Sequence, residues 1–126
     1  MPSSKGNSRR GSSRVARGQK YEKIAEQLFL TQGYEVVERN WRTGHKEIDL
    51  IVRKGNLIVF VEVKSAETPK FGHPAERVDK RKIKNLVEAA EIYIEKNQIV
   101  ECDLQFDVVT FVDGKPEHYP DAFGAG

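Results

Sequence analysis

Cysteine is nearly absent from this chain, which contains one, Cys102, among 126 residues. A single cysteine cannot form an internal disulfide, and it cannot supply the thiolates of a zinc site built on cysteines. Disulfides are common in oxidising compartments, whereas thiols stay free in reducing ones. The cysteine content therefore predicts a protein of the reducing cytoplasm.

Long apolar runs are missing too. No segment approaches the roughly eighteen apolar residues that a membrane helix requires, and the N-terminus lacks the apolar centre of a secretory signal. Hydrophobic residues make up 38% of the chain, which at this length is enough for one modest core. We therefore expect a single-domain cytoplasmic protein that does not enter a membrane.

Several catalytic signatures are also absent. The sequence contains no glycine-rich phosphate loop, no Ser-His-Asp arrangement, no internal repeat and no heptad pattern. The three histidines do not have the spacing of metal ligands. These absences argue against nucleotide hydrolysis and against hydrolases of the serine type.

Positive charge is concentrated at the N-terminus. Residues 1–17 carry five basic residues and no acidic one, and with five serines and two glycines they are predicted to form a disordered basic tail. The other 16 basic and 19 acidic residues give the predicted domain, residues 18–126, a net charge of −3. The tail either follows nucleic-acid phosphates without sequence preference or is a solvated extension.

Two apolar segments with a turn between them predict a β-hairpin. Residues 47–53 and 57–64 are rich in β-branched and aromatic side chains. Gly55-Asn56 suits the centre of a type II′ turn, which prefers glycine first. The turn fixes the register of the two strands.

In that register four charged residues share one face of the hairpin. Asp49 lies opposite Glu62, and Glu47 lies opposite Lys64, because side chains alternate between the two faces of a strand. The other face is apolar and predicts a core. Its members are Ile48, Leu50, Val52, Val59, Val61 and Val63.

The opposed acids Asp49 and Glu62 need an explanation, since two facing carboxylates repel each other and their burial adds a desolvation cost. A divalent cation removes both penalties. Mg²⁺ prefers oxygen ligands, takes one or two carboxylates, and keeps water and substrate phosphate in its other positions. Lys64 would then contact the phosphate or the attacking water. The alternative is that both acids lie at strand ends in solvent or in salt bridges.

Periodicity outlines the remaining elements. Apolar residues at helical spacing predict helices over 20–31 and about 78–96. Loose alternation predicts strands over 34–41 and about 103–112. Prolines and a glycine predict a loop over 65–75.

Arg39 and Arg42 flank Asn40 and Trp41 near the end of the first predicted strand. A mixture of basic and aromatic residues is suited to a sugar-phosphate strand or to stacking on an unpaired base. A lone Trp more often packs in a core. Nucleic-acid contact by the two arginines is therefore one of two interpretations.

Short motifs follow one another along residues 18–123. They are Gly18-Gln-Lys-Tyr-Glu22, Gly33-Tyr34, Arg39-Asn40, Glu47-Ile-Asp-Leu-Ile51, Phe60-Val-Glu-Val-Lys64, Phe71-Gly72, Lys80, Phe106-Asp-Val-Val109 and Ala122-Phe123. An Asp followed about a dozen residues later by Glu-x-Lys resembles the PD-(D/E)xK nuclease superfamily. The set as a whole resembles the YraN family, whose members are inferred to be endonucleases.

The resemblance implies an α/β fold with a restriction-endonuclease-like αβββαβ core, in which helices flank a mixed central sheet as in Holliday-junction resolvases. It implies that Asp49 and Glu62 are metal ligands and that Lys64 is the catalytic lysine. Glu22 would be a further acidic ligand from the first helix. Glu47, on the same face of the hairpin, would be an accessory residue.

The second helix begins with a run of basic residues. The resemblance points to Lys80 as facing the cleft, where it would be an accessory residue and a contact for nucleic acid. The competing interpretation is a solvated helix face, and this is the expectation for Arg81, Lys82 and Lys84.

The residues and the resemblance together predict a Mg²⁺-dependent endonuclease, with Mn²⁺ as a substitute, that hydrolyses phosphodiester bonds in DNA. Branched or structured DNA and a homodimer are expected by analogy with the resolvases. Lys46, Ser65-Ala66 and Gln105 stand where the family commonly has Gly, Thr-Arg and Arg. The missing arginines weaken the expected phosphate contacts and leave open a non-catalytic nucleic-acid-binding protein that retains a nuclease fold.

Overall fold

The structure is a computed structural model that describes residues 12–66 and 80–123, with side chains described over 18–65 and 80–123. Its elements are α1 (Ser12–Thr31), β1 (Glu35–Thr43), β2 (Lys46–Lys54), β3 (Leu57–Ala66), α2 (Lys80–Lys96), β4 (Asp103–Val112) and β5 (Lys115–Tyr119). The first six follow the order αβββαβ, so the predicted α/β fold is confirmed.

The five strands form one mixed sheet in the order β1-β2-β3-β4-β5. Among the described strands, only β3 and β4 run parallel to each other. Helix α2 lies between them in the chain, because parallel neighbours need a long crossover connection. The other neighbouring strands are antiparallel. The β1–β2–β3 meander therefore carries the predicted acidic residues on consecutive strands.

The two helices cover opposite faces of the sheet. The α1 stripe, with Ala25 and Phe29 buried, packs on a cluster that contains Leu50, Val61 and Phe111. The α2 stripe packs on a second cluster, whose buried members are Ile48, Ile51, Ile58, Phe60, Leu86, Ala89, Ala90, Tyr93 and Phe106. Both amphipathic helices behave as their spacing predicts.

The predicted hairpin is confirmed where β2 and β3 pair. Its partners run from Lys54↔Leu57 to Leu50↔Val61. Gly55 has a φ of +61° and Asn56 has no positive φ, as a type II′ turn requires.

One face assignment in the hairpin is wrong. Ile48 was expected beside Leu50, but it packs in the α2 cluster while Leu50 packs in the α1 cluster. Strict alternation would place both on one face. The alternation of side chains between the two faces of β2 is interrupted at Asp49. This residue lies between the pairs Trp41↔Ile48 and Arg39↔Leu50, at the level of Asn40 of the neighbouring strand, whose φ is 48°.

The start of α1 and one additional strand differ from the prediction. Helix α1 begins at Ser12 rather than residue 20, since Gly18 costs only about 1 kcal/mol inside a helix. Residues 1–11 lie outside the described part, and the domain boundary at residue 18 stays a prediction. Strand β5 was missed. It follows a turn in which Asp113 and Gly114 have φ values of 54° and 77°, as in a type I′ hairpin.

The Phe71-Gly72 motif and most of the predicted loop over 65–75 lie outside the described residues. So do residues 78 and 79 of the second predicted helix.

Among the described residues, no helix is both long and apolar enough to cross a membrane.

Candidate functional site

Asp49 lies where the regular pairing of β2 is interrupted. Between the pairs Trp41↔Ile48 and Arg39↔Leu50, no Cα partner is assigned to Asp49 on β1. On the other side its side chain reaches β3, where Asp49 Oδ2 accepts a hydrogen bond from the Val63 N–H at 2.8 Å. The carboxylate of Asp49 thus takes the place of a backbone acceptor between β2 and β3 and satisfies the N–H of Val63.

Glu62 is the neighbouring acid on β3 and is 4% exposed. Its Oε2 atom lies 2.9 Å from the Lys82 Nζ atom, which reaches down from the first turn of α2. The Lys82 side chain is 60% exposed, so its ammonium enters the site from the solvent side. A buried carboxylate requires such a partner, because an unpaired buried charge is costly.

Asn40 joins two further acids of the predicted set. Its Nδ2 atom donates to Glu22 Oε1 and to Glu47 Oε2, each at 3.2 Å. Glu47 Oε1 also lies 3.7 Å from Arg42. The amide thus links Glu22 of helix α1 to Glu47 of strand β2, while the role of Glu22 as a metal ligand stays a prediction.

The four acids interact electrostatically. Burial and the Glu62 charge, with smaller contributions from Glu22 and Glu47, raise the pKa of Asp49 to about 8, although the Val63 hydrogen bond opposes the shift. Burial also raises the pKa of Glu62, while the Lys82 hydrogen bond and the charges of Lys82 and Lys64 lower it. The hydrogen bond to Glu62 raises the pKa of Lys82. One of the two central acids is therefore compensated, whereas Asp49 favours its neutral form.

Two cavities meet at Asp49. The first, of about 340 Å³, lies toward α2 and is lined by His45, Lys46, Glu47, Asp49, Glu62, Arg81, Lys82, Asn85 and Leu86. The second, of about 510 Å³, lies toward α1 and is lined by Gln19, Lys20, Glu22, Lys23, Glu26, Arg39, Asn40, Asp49 and Leu50. Each cavity is lined by both acidic and basic residues.

Lys64 lies on β3 beyond Glu62 and is half-buried. It pairs through the backbone with Thr110 of β4 in the parallel ladder. Its charge is close enough to lower the pKa of Glu62. The structure thus brings together Glu22, Glu47, Asp49, Glu62 and Lys64.

The donor chemistry of this site fits a hard divalent cation, since all four acids offer oxygen ligands. Over residues 12–66 and 80–123, however, no group of three or more His, Cys, Asp or Glu side chains is arranged to hold a metal ion. Two carboxylates, Asp49 and Glu62, suffice for Mg²⁺ when waters and a phosphate complete its shell. In this arrangement Lys82 takes one oxygen of Glu62, and the Val63 N–H takes one of Asp49.

The predicted nucleic-acid contacts occupy different surroundings. Arg39 lines the cavity toward α1 and makes two hydrogen bonds to Glu26, at 2.9 and 2.7 Å. Arg42 and Lys80 are exposed, Lys80 at the first residue of α2. Trp41 packs against the α2 cluster, with its ring 5.2 Å from that of Tyr93, so the core interpretation of Trp41 is confirmed. DNA contact by Arg39, Arg42 and Lys80 stays a prediction.

Lys82 is the main site residue that the sequence interpretation missed: its side chain is 60% exposed, as expected for a solvated face, but its ammonium also contacts Glu62. A signal was present. Lys82 precedes Leu86, Ala89 and Tyr93, all buried, at spacings of four, seven and eleven residues, so it extends the buried stripe of α2 by one turn. The bridging role of Asn40 had no comparable signal, because it depends on a left-handed backbone and on the docking of α1.

Comparison with known proteins shows a family match over most of the chain. Residues 21–111 match the profile of a family described as "Uncharacterised protein family UPF0102". A UPF0102 protein of Chloroherpeton thalassium is 43% identical over 98 residues, which cover 78% of this chain and 76% of the relative. A UPF0102 protein of Thermodesulfovibrio yellowstonii is 40% identical over 110 residues, which cover 87% of this chain and 97% of the relative.

Among solved structures, this chain overlaps with one described as "The structure of Pyrococcus Furiosus SfsA in complex with Ca2+". The TM-score is 0.38 and the sequence identity 16%, with 85% of this chain and 62% of that chain covered.

Proposed function

The chain belongs to the uncharacterised protein family UPF0102, the YraN family, and from the geometry of its site we propose that it is a divalent-metal-dependent endonuclease that acts on DNA. The observation that carries the proposal is the pair of neighbouring acids Asp49 and Glu62. Both are withdrawn from solvent beside further carboxylates, and the pKa of Asp49 is raised to about 8. Perturbed acids in a cleft are typical of functional sites.

Asp49 and Glu62 are the residues that would hold Mg²⁺ or Mn²⁺. Glu22, which contacts Asn40 in this structure, would have to turn toward the cation to become a further ligand from α1. When bound, the cation supplies positive charge to the phosphate as negative charge develops on it. Asp49 must lose its proton before it can act as a ligand, since ligands bind metal in their ionised form. Lys64, half-buried beyond Glu62 on the same strand, orients the attacking water.

The walls of the two cavities support a polyanionic substrate. Lys20 and Lys23 lie with Arg39 on the side of α1, and Lys46 and Arg81 lie on the side of α2. A phosphodiester strand laid across Asp49 would therefore meet basic residues on both sides of the acids, and such contacts position a backbone without reading its sequence. A branched or structured DNA is the substrate that the resemblance to resolvases favours.

The test is a panel of single-stranded, duplex, flap and four-way-junction DNA incubated with the full chain. Each substrate is tested with Mg²⁺, with Mn²⁺ and with chelator. We expect metal-dependent cutting of at least one substrate and no cutting in chelator. Intact DNA under every condition would contradict a nuclease that acts alone.

A second function is favoured by the contact between Lys82 and Glu62. A lysine ammonium already compensates one of the two central acids, so the fold can be stable at this site without a cation. A non-catalytic protein would bind nucleic acid through the basic residues that line the two cavities, and the acids would take no part in a reaction. Gel shifts on the same panel separate the two functions, because a pure binder should form complexes that weaken with salt and do not need Mg²⁺.

A further inference from the structure

The Lys82 ammonium contacts one of the two central acids, Glu62. Lys82 Nζ lies 2.9 Å from Glu62 Oε2, and the charges of Asp49 and Glu47 also favour protonation of Lys82. Asp49 receives the Val63 N–H, which offers a dipole but no full charge. Lys64 acts on Glu62 through its charge. The Lys82 ammonium therefore already contacts one of the two carboxylate oxygens that Glu62 could offer to a metal ion.

We propose that Lys82 is a resident counter-cation of Glu62 that sets the divalent-metal affinity of this site by competing with the metal. The inference rests on the proposed metal site and goes beyond it, because it assigns a role to a residue outside the Asp and Glu-x-Lys motif. A metal ion that binds Asp49 and Glu62 must either displace the ammonium or lie close to it. Displacement costs the ion pair between Lys82 and Glu62, and close approach costs repulsion between like charges, which is strong where water is partly excluded.

The Lys82 side chain is suited to displacement. It is 60% exposed, whereas the Glu62 side chain is 5% exposed, so the ammonium can withdraw into solvent while the carboxylate stays. A lysine carries its charge on a flexible four-carbon stem. Lys46 and Arg81 line the same cavity, so a phosphate bound there would offer the withdrawn ammonium a new partner. Lys82 is thus a positioning residue that acts through Glu62.

The test is calorimetric titration of Mn²⁺ into the metal-free full chain, with Lys82→Gln, Lys82→Met and Lys84→Gln beside the wild type. Lys84 is exposed on the same helix, so Lys84→Gln removes the same charge without removing the contact to Glu62. We expect Lys82→Gln and Lys82→Met to bind Mn²⁺ about tenfold more tightly, the effect of losing one charged hydrogen bond. Lys84→Gln should stay within about twofold of the wild type.

Melting temperatures give a second readout that does not depend on activity. In chelator, Lys82→Gln should melt below the wild type, because Glu62 loses its partner. Mn²⁺ should raise the melting temperature of Lys82→Gln more than that of the wild type, since the cation replaces the lost ammonium. Lys82→Met keeps the apolar stem and serves as the second variant if Lys82→Gln folds poorly.

The outcomes separate this inference from the proposed function. Equal or weaker Mn²⁺ binding by both Lys82 variants, with measurable binding by the wild type, overturns the inference and leaves the metal site intact. Binding by the variants but not by the wild type supports the inference and favours the non-catalytic alternative. If neither the wild type nor any variant binds Mn²⁺, both the proposed metal site and the inference are wrong.

Discussion

The Asp49 carboxylate accepts the backbone N–H of Val63 at 2.8 Å, so a side chain of β2 binds the backbone of β3 just beyond the last regular pair, Leu50↔Val61. This hydrogen bond holds Asp49 beside Glu62, although the proximity of two negative charges stabilises neither acid in its ionised form. Asparagine offers the same acceptor through its carbonyl oxygen. The charge of Asp49 can therefore be removed without removing the bond that positions it.

The first prediction concerns pH. Burial and the Glu62 charge raise the pKa of Asp49 from 3.8 to about 8 in the folded protein, so between these values the folded state holds a proton that the unfolded state has lost. The resulting stabilisation is complete below pH 3.8 and is lost as the pH rises through about 8. Relative to Asp49→Asn, which cannot titrate, wild type should lose stability over this interval.

The measurement is the melting temperature of both proteins in chelator, from pH 5 to pH 9. As the pH rises, the melting temperature of Asp49→Asn should increasingly exceed that of wild type, and the difference should become constant above about pH 8. Mg²⁺ should reduce the difference in melting temperature at high pH if it binds the ionised carboxylate of Asp49. A difference between the two proteins that is constant across the range would show that Asp49 titrates as an ordinary acid.

The second prediction concerns the backbone at Asn40, whose φ is 48°. Asn40→Gly and Asn40→Ala both remove the amide that joins Glu22 to Glu47, but only glycine adopts a left-handed conformation without cost. Asn40→Gly should therefore be more stable than Asn40→Ala by about 1 kcal/mol in urea denaturation. An alanine variant as stable as the glycine variant would argue against the left-handed turn and the break in pairing at Asp49.

The third prediction concerns a buried acid outside the site. Asp107 is 1% exposed and accepts hydrogen bonds from the Gln105 side chain and the Asp121 N–H, both at 2.9 Å, while His118 Nε2 lies 2.7 Å from its other oxygen. These contacts tie the segment after β5 to β4. Asp107→Ala leaves three partners unsatisfied and should cost about 3 kcal/mol or more of unfolding free energy.

The control for Asp107→Ala is Asp103→Ala, since Asp103 lies on the same strand but is exposed. Asp107→Asn should fall between wild type and Asp107→Ala, because the amide keeps one acceptor oxygen. Midpoints of urea denaturation measure all three. A loss in Asp107→Ala no larger than that in Asp103→Ala would show that this network contributes little to stability.

Local signals made the centre of the fold predictable. Gly55 and the alternating strands around it define the β2–β3 register through contacts a few residues apart. That register placed Asp49 and Glu62 near each other on adjoining strands. The stripe of α1 likewise predicts the face that carries Ala25 and Phe29 and places Glu22 at its flank.

The parts of the fold and of the site that the sequence did not predict depend on tertiary packing. Lys82 contacts Glu62 because the crossover connection places α2 against the sheet. No local sequence pattern predicts the distance between these two side chains. The side chain of Ile48 leaves the predicted face near Asp49, and the positive φ of Asn40 on the neighbouring strand is likewise not encoded in the alternation of β2. Strand β5 has mostly exposed residues and contains Pro116, so it lacks the apolar alternation by which strands are identified; a proline is tolerated there because β5 is an edge strand.

The most direct test of the metal-dependent nuclease is the cleavage rate of Asp49→Asn beside wild type, on whichever DNA of the panel is cut, with Mg²⁺ present. Asp103→Asn, an exposed aspartate substituted in the same way, is the matched control. We predict that Asp49→Asn folds, binds the DNA and cuts it slower by about a hundredfold or more, because it loses a charged metal ligand, while Asp103→Asn cuts as wild type does. Cleavage by Asp49→Asn at the wild-type rate would contradict the assignment of the reaction to this site.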